Sequence, residues 1–466
     1  MLAKFKKKYI GDWDFYQKYL LLAIPMILQN AITNLVSFLD NIMVGQLGTE
    51  QMSGVAIVNQ LIFVYNLAIF GAVSAASIFG AQYFGKGNHK GHMYSFRFKL
   101  YATLLVTGGA ILLFLTKGSA LISLYLTDTV GNGATDLALQ YGLEYLAIMM
   151  VGLIPFAVNQ SYATNIKETG QTFIPMLASF VAVGTNAILD YLMIFGIGPF
   201  PELGVQGAAL ATVIARYIEA LIVVIWAHIH RGKNRYLEGA YTGFGIPLAE
   251  LKAILIKGFP LMMNEVLWAA GMTTVTQCYS VRGLDVVAGL NIASTITNLF
   301  NIVYLQLGSC ISIVVGQYLG AGKLEDAKDA DNKMIVFSVF CCVIMAALMF
   351  VVGGFFPGIY NTTEEIRELA TSFIAVSAII MPFCAFSHAS YFTLRSGGKT
   401  IVTFLFDSVY TWVVMIPYAF VLSRFTTLSI TMVFFLVSFT EIIKVIIGSI
   451  LLRSGIWANN VVSDVD

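Results

Sequence analysis

Twelve stretches of roughly twenty residues, almost free of Asp, Glu, Lys and Arg, recur along this 466-residue chain. A helix of about 20 apolar residues crosses the ~30 Å hydrocarbon core of a bilayer. The pattern therefore predicts an all-α integral membrane protein with twelve spans. Their approximate limits are 18–44, 52–80, 98–116, 141–164, 172–195, 204–227, 251–279, 286–315, 334–356, 369–393, 401–421 and 426–450. Only 11% of the residues are charged and 58% are hydrophobic. A soluble domain carries about a quarter charged residues, so this composition excludes both an ordinary soluble enzyme and a disordered chain. The net charge is +1 and no basic stripe occurs, which argues against a nucleic-acid partner. Cys278, Cys310, Cys341, Cys342 and Cys384 fall in or beside apolar runs without CxxC spacing, and read as small core residues. The 41 glycines supply small surfaces on which membrane helices pack closely.

The first apolar run, Tyr19 to Leu39, follows Lys4, Lys6, Lys7 and Lys8. It is too long for the apolar region of a signal peptide and lacks an A-x-A cleavage site, so it reads as the first span. Basic residues concentrate at the N-terminus and after even-numbered spans. Lys86, Lys90, Arg97 and Lys99 follow the second span; Arg231, Lys233 and Arg235 follow the sixth. Loops after odd-numbered spans hold only Lys117, Arg282, Arg367 and Arg424. Positively charged loops stay in the cytoplasm, so both termini are expected there, in a multi-pass protein of the cell membrane.

Shifted by 235 residues, the sequence aligns with itself without a gap from 25 to 87. Pro25 meets Pro260, Gly48 meets Gly283, Gly54 meets Gly289, Asn66 meets Asn301 and Ser77 meets Ser312. Gln82-Tyr83 meets Gln317-Tyr318, and Gly85 and Gly87 meet Gly320 and Gly322. After a short deletion, the run Lys167 to Thr172 meets Arg395 to Thr400. This is a 6+6 duplication, and an even number of spans per half makes the repeats parallel. The expected organisation is an N-lobe over 1–230, a cytoplasmic connection over 231–250 and a C-lobe over 251–466. Two such lobes suit a rocking transporter better than a fixed pore.

Polar side chains at membrane depth mark candidate sites. Asn30, Thr33, Asn34, Ser37, Asp40 and Asn41 share one face of the first span. Asn291, Ser294, Asn298 and Asn301 do the same on the eighth. Such stripes face other helices or a water-filled cavity rather than lipid, and interhelical hydrogen bonding alone would also account for the second. Asp40 and Asp190 are the sharpest signals, because an ionisable group in a span costs ~2.5–3.5 kcal/mol or more. Both lie four or five residues from the outer end of an outward-running span, so they reach one depth. Two carboxylates that meet there would hold a proton between them, and with Asn186 they offer hard oxygens to a small cation such as Na+. The alternative places each at the interface among headgroups.

Arg216 and Glu219, spaced i, i+3, read as a structural pair with each other or with neighbouring helices, as do Glu441 and Lys444. Glu265 is either a substrate-cavity acid or a locally hydrogen-bonded group. His388 reads as a packed, hydrogen-bonded histidine, and Asp407 as close enough to the cytoplasmic end to be hydrated. Pro155, Pro260 and Pro382 should kink their spans. Tyr65, Met262, Met263, Trp268 and Tyr391 would suit a promiscuous apolar cavity, although ordinary packing explains each singly.

These residues together resemble the multidrug and toxic compound extrusion (MATE) transporters, over essentially the whole chain. The carriers are Gly80 to Gly87, its second copy Gly316 to Gly322, Glu168 to Thr172, Asn186 to Asp190 and Gly204 to Thr212. The resemblance implies a V-shaped pair of six-helix lobes. It also implies efflux of amphipathic, often cationic organic compounds in exchange for H+ or Na+, without a prosthetic group. Asp40 and Asp190 match the family's N-lobe cation site, with Asn186 and Asn159 as polar partners. Helix 10 lacks the acid of NorM-like members, which places the chain nearer the DinF-like branch and leaves a C-lobe cation site in doubt. Substrate-cavity candidates are Asn30, Ser37, Met262, Glu265, Trp268, Asn291 and Asn298. The expected partners are small organic solutes and the lipid bilayer, with the chain acting as a monomer. A lipid-linked oligosaccharide flippase of similar helix arrangement is the runner-up, but it calls for more basic cavity residues than Arg216. An intramembrane enzyme would need clustered acids, His or Cys at one interface, and no Walker-type phosphate loop occurs.

Overall fold

The computed structural model describes residues 8–126 and 134–463. Lys4, Lys6 and Lys7, which contribute to the orientation argument, lie outside the described residues. The helices are α1 (Trp13–Gly45), α2 (Thr49–Lys86), α3 (His89–Ser123), α4 (Ala134–Val151), α5 (Leu153–Glu168), α6 (Phe173–Phe195) and α7 (Gly204–Ile229). They continue with α8 (Leu248–Ser280), α9 (Leu284–Gly320), α10 (Leu324–Gly353), α11 (Glu364–Ser396), α12 (Thr400–Phe425) and α13 (Ile430–Ser454). Eleven of these are long and apolar enough to cross a membrane alone. The bent pair α4–α5 makes a twelfth span, so the structure has the twelve-span, all-helical architecture that the apolar pattern predicts.

The bend in the fourth span is 44° and falls at Gly152. Pro155 lacks an N–H and its ring crowds the carbonyl one turn earlier, so the helical ladder is interrupted there. Two carbonyls at the break gain side-chain donors: Tyr65 Oη donates to Leu153 O at 3.0 Å, and Arg216 Nη1 to Gly152 O at 3.4 Å, where Phe156 N also donates. By contrast, α8 and α11 run on through Pro260 and Pro382.

One expectation is corrected by the turn between α2 and α3. It needs only Gly87, in the left-handed region at φ 74°, and Asn88, whose N–H caps Tyr83 O. The next helix starts at His89, so Arg97 and Lys99 are not loop residues; both are buried on α3.

Contacts divide the chain into two compact units. One comprises Met1–Ile27, Ala81–Asn88 and Lys252–Asp466, the other Leu28–Gly80 and His89–Leu251. The packing partition therefore differs from the sequence repeat at two short segments. The start of α1 joins the first unit because Tyr19 Oη donates to Leu307 O at 2.9 Å and Tyr16 stacks on Phe337. The core of this unit gathers α8–α13 around Phe300, Tyr304, Met349, Phe373 and Met381. In the second unit, Tyr65, Ile122, Tyr145, Met149 and Leu153 form the main core.

The segment after α7 folds back on the second unit. Arg97 donates to three carbonyls of this segment, Ala240, Gly245 and Gly239, at 2.9, 2.7 and 2.7 Å. Tyr236 is buried between His92 and Phe96, and burial pushes its phenol well above the usual range. Arg97→Ala removes all three charge-assisted bonds, each worth about 1.5–3 kcal/mol before the carbonyls rehydrate. We expect faster proteolysis near 239–245 in Arg97→Ala, with α3 still inserted. Wild-type cleavage rates in that variant would mean that the segment is held by Tyr236 packing alone.

Candidate functional site

The candidate site lies wholly within the second unit, on α1, α4, α6 and α7. Asp190 comes from α6 and is 1% exposed, so it is enclosed by protein and not among headgroups. Its carboxyl lies against Asp40 of α1 and Asn186, one turn earlier on α6. Neither oxygen of Asp190 has a hydrogen-bond donor, and Asp40 Oδ1 is likewise buried without one. The Asn186 amide lies beside the pair and also reaches Thr212 on α7, with Nδ2 donating to Oγ1 at 3.5 Å. Tyr145 of α4 lies within electrostatic range of both acids and donates to Asn59 Oδ1 at 3.3 Å. Three buried carboxylate oxygens thus face one another with no donor. Such a set is unfavourable unless a cation or a proton enters it. Oxygen donors of this kind suit H+ or Na+. Among the described residues no group of three or more His, Cys, Asp or Glu forms a metal cluster.

Asn159 sits elsewhere, in a second polar group. It lies beside Glu219, which accepts from Ser179 Oγ, and Ser179 accepts in turn from Gln29 at 2.7 Å. The i, i+3 spacing does not make a pair of Arg216 and Glu219. Arg216 turns toward the break at Gly152 and its guanidinium lies 5.2 Å from the Phe156 ring. The Gly152 carbonyl and the Phe156 ring hold the guanidinium, while the Ser179 hydroxyl bonds the Glu219 carboxylate.

The other sequence candidates divide by environment. Ser37 on α1 and Asn291 and Asn298 on α9 are exposed, facing away from the core of their own unit. Ser37 bonds only to Thr33 O within its helix, and Asn291 O accepts from Ser294 and Thr295 of the same helix. Intrahelical bonding of this kind leaves the α9 stripe available to water rather than engaged across helices. Asn30 is half-buried; Met262 and Trp268 are each 37% exposed. Glu265 is the exception, since it lies beside Tyr391 and Arg395 inside the first unit.

Asp407 is 16% exposed and bonded within its unit. Its Oδ1 accepts from Lys444 at 3.0 Å and its Oδ2 from Asn264 at 3.1 Å. Asp407 lies in the first of two π-helical stretches of α12, Leu405–Val409 and Thr411–Met415. Lys444 also contacts Glu441 at 3.4 Å, so the spacing-predicted pair exists but Asp407 is the nearer partner. His388 bonds Cys384 O and packs on Tyr304, as a structural histidine does.

Sequence reasoning missed a buried ionic cluster in the second unit. Lys99 Nζ reaches Glu168 Oε1 at 2.5 Å and also Asn165 Oδ1, while His92 Nε2 lies 3.3 Å from Glu168 Oε2. The available signal was Lys99, which reads as loop charge because the turn before α3 is so short, and Glu168, which enters the sequence reading only as part of a family motif. It also missed Tyr145, one phenol among 22 tyrosines.

The fold is therefore a duplicated polytopic helical bundle of the transporter type, carrying an enclosed pair of carboxylates. The MatE family profile matches the chain twice, over 25–192 and 260–421, and the two matches start 260 − 25 = 235 residues apart, the offset of the internal repeat. The chain belongs to the MatE family and is a membrane transporter, not an enzyme. A relative from Thermotoga maritima, named probable multidrug resistance protein NorM, is 24% identical over 411 residues, covering 88% of this chain and 86% of its own. One of the same name from Listeria innocua is 24% identical over 416 residues, covering 89% of each. A solved structure of a multidrug resistance MATE family transporter in an outward-facing conformation superposes with a TM-score of 0.84. It is 19% identical and the match covers 96% of this chain and 97% of that one. A MOP superfamily transporter from Pyrococcus furiosus, described as having a binding pocket of reverse polarity, gives the same TM-score over 95% and 96%.

Removing one partner of a buried ion pair typically destabilises by about 3–5 kcal/mol, because the other charge is left uncompensated. Lys99→Met should show a loss of that order in thermal unfolding in detergent. Adding Glu168→Gln should restore most of it. A double variant no more stable than Lys99→Met would show that the cluster is not an ion pair in energetic terms.

Proposed function

We propose that the chain is a secondary active efflux transporter that exports amphipathic, often cationic organic compounds in exchange for H+ or Na+. The observation that carries the reading is the donor-free carboxylate pair Asp40–Asp190, buried within a transporter of the MatE family. The names of the bacterial relatives support multidrug compounds as the substrate class. Asp40 and Asp190 act as one cation-coupling site, with Asn186 supplying a further oxygen and Asn159 acting on it from the Glu219 group. One charge moving down 100 mV releases ~2.3 kcal/mol. That drives roughly a fifty-fold gradient of solute at 1.4 kcal/mol per decade, without an ATPase. The substrate-contact candidates are Asn30 and Ser37 on the second unit and Met262, Trp268, Asn291 and Asn298 on the first, with Glu265 tuning selectivity. The repeats 1–230 and 251–466, joined by 231–250, work by alternating access in the plasma membrane. Both termini are cytoplasmic, and the chain works as a monomer.

Coupling is reciprocal: if the cation weakens substrate binding, substrate weakens cation binding by the same factor. Asp40→Asn imitates the protonated acid and removes the charge with little change of shape. In proteoliposomes with an imposed ΔpH or ΔNa+, tested separately, Asp40→Asn and Asp190→Asn should each abolish gradient-driven efflux while inserting normally. The double variant should be little worse than either, since the two act as a unit. Wild-type, gradient-dependent efflux by Asp40→Asn would move the site elsewhere, with Glu265 the next residue to test.

Ser463→Cys should resist an impermeant thiol reagent added outside intact cells. Labelling from outside would invert the topology and with it the depth assigned to the aspartates.

A further inference from the structure

Each repeat carries the same polar junction, and the two copies are filled differently. The 235-residue offset carries Gln29 to Asn264. After the deletion the offset is 395 − 167 = 228 residues, which carries Ser179 to Asp407, Thr212 to Thr440 and Arg216 to Lys444. In the first unit, Asn264 Nδ2 of α8 donates to Asp407 Oδ2 of α12 at 3.1 Å, and Lys444 Nζ of α13 donates to Asp407 Oδ1 at 3.0 Å. In the second unit, Gln29 Nε2 of α1 donates to Ser179 Oγ of α6 at 2.7 Å, and the Ser179 hydroxyl donates to Glu219 of α7. Each unit by itself thus joins an amide on the first span of the repeat to a polar group on the fifth and an ionisable group on the sixth. The sixth span supplies an ammonium in the first unit and a carboxylate in the second.

The first-unit junction is filled by its own chain. Lys444 lies 3.0 Å from Asp407 and 3.4 Å from Glu441, and over the rings of Phe406 and Tyr410 at 5.6 and 5.8 Å. Carboxylates and aromatic faces together are a setting that holds an ammonium. The second-unit junction has the acid without the ammonium. Arg216, at the repeat position of Lys444, bonds Gly152 O and lies over Phe156. Arg216 and Lys167 act on Glu219 only at longer range, and among the described residues no basic side chain bonds it. Ala178 and Ala182 stand at the repeat positions of Phe406 and Tyr410, so neither ring has a counterpart there. Two acceptors at this junction also have no donor. Ser179 has one hydroxyl proton and gives it to Glu219, so Gln29 faces it with Nε2 and Oε1 is the atom left over. Gln29 Oε1 is buried without a hydrogen bond, and so is Asn159 Oδ1, on α5 beside Glu219; Asn159 is 3% exposed. Buried oxygens without donors are costly, and these two flank a carboxylate that has no counter-charge. A protonated amine brings the charge and the N–H donors in one group. Glu219 is itself half-buried, which leaves the junction open to a ligand.

We propose that Gln29, Asn159, Ser179 and Glu219 bind the protonated amine of an exported compound, in the place that Lys444 fills with its own ammonium in the first unit. The proposal rests on the export reading given above and adds to it a substrate contact apart from the Asp40–Asp190 pair. The probe is dansylcadaverine, an amphipathic primary amine whose emission reports binding, beside its N-acetyl derivative, which is neutral and otherwise alike. Both are titrated against the purified full-length chain in detergent. Glu219→Gln keeps the shape and removes the charge; it should weaken the amine about tenfold or more and the derivative less than about twofold. Gln29→Met removes an acceptor without touching a charge and should weaken the amine alone, by about threefold or more. It carries the test if Glu219→Gln fails to fold by circular dichroism and gel filtration. Asp190→Asn imitates the loaded carboxylate pair and should move both compounds by the same factor, because coupling does not distinguish them. Loss of the amine alone in Asp190→Asn, with wild-type affinity in Glu219→Gln, would place the ammonium at the aspartates and overturn the proposal. Equal losses of amine and derivative in Glu219→Gln would overturn it as well, as would a wild-type chain that binds no amine. If the wild-type chain in proteoliposomes expels no amine under either gradient, the export reading falls, and the titrations, which need no gradient, still decide the site.

Discussion

The chain depends on one electrostatic asymmetry. Most ionisable groups deep in the protein are compensated: Lys99 by Glu168, Lys444 by Asp407 and Glu441, Glu219 by the Ser179 hydroxyl. Asp40 and Asp190 are different, because three of their buried oxygens receive no hydrogen bond. A charge taken from water without a partner is costly, and two like charges side by side are costlier still. The fold tolerates the pair because the rest of the unit is tied down independently, by its aromatic core and by the Lys99 cluster. That division of labour suits the reading proposed here. A site that takes up and releases a cation must have no permanent counter-charge, and the surrounding lobe must survive both states.

Helix irregularities fall where side chains can repair them. Pro155 accompanies the break in the fourth span, and carbonyls beside it receive bonds from Tyr65 and Arg216, residues that a periodicity argument would assign to packing and to an ion pair. On α12, Asp407 lies in a π-helical stretch and bonds Lys444 and Asn264, where Ser408 also bonds the Asn264 side chain. In both places a polar group lies inside the bundle at an irregular stretch, and the compensation comes from another helix. Irregular backbone at membrane depth is tolerated only under that condition.

The fold was legible in the sequence because its largest signals are one-dimensional. Apolar run length gave the twelve spans, and the 235-residue offset gave the duplication. Two kinds of information were not legible. The first is turn length: nothing local distinguishes a two-residue turn at Gly87-Asn88 from a longer loop, so Arg97 and Lys99 were read as loop charges although both are buried in α3. The second is competition among partners. Spacing placed Arg216 next to Glu219 on one helix face, but could not reveal that the Gly152 carbonyl and a serine from α6 would take them separately. At the carboxylate site, depth counting brought Asp40 and Asp190 to one level, and Asn186 followed from its position one turn before Asp190. Tyr145 and Thr212 join that neighbourhood from helices whose rotation no single-sequence argument fixes.

Duplication also explains where symmetry stops. The α2 and α9 motifs meet as equals because they descend from one sequence. The close approach demands glycine in both, since a Cβ on Gly85 would overlap the Gln317 carbonyl and one on Gly320 the Gln82 carbonyl. The segments that follow each repeat are not under that constraint, and they have diverged in use. After α7 the chain is fastened to α3 by Arg97 and by the burial of Tyr236. After α13 it is fastened by the neutral Gln82 amide, which makes three ordinary hydrogen bonds, and by the burial of Trp457, Val461 and Val462. Bonds from a guanidinium are roughly twice as strong as neutral ones. The two fastenings therefore differ in kind: the first adds charge-assisted bonds to a buried tyrosine, while the second sets a neutral amide over a buried tryptophan and two buried valines.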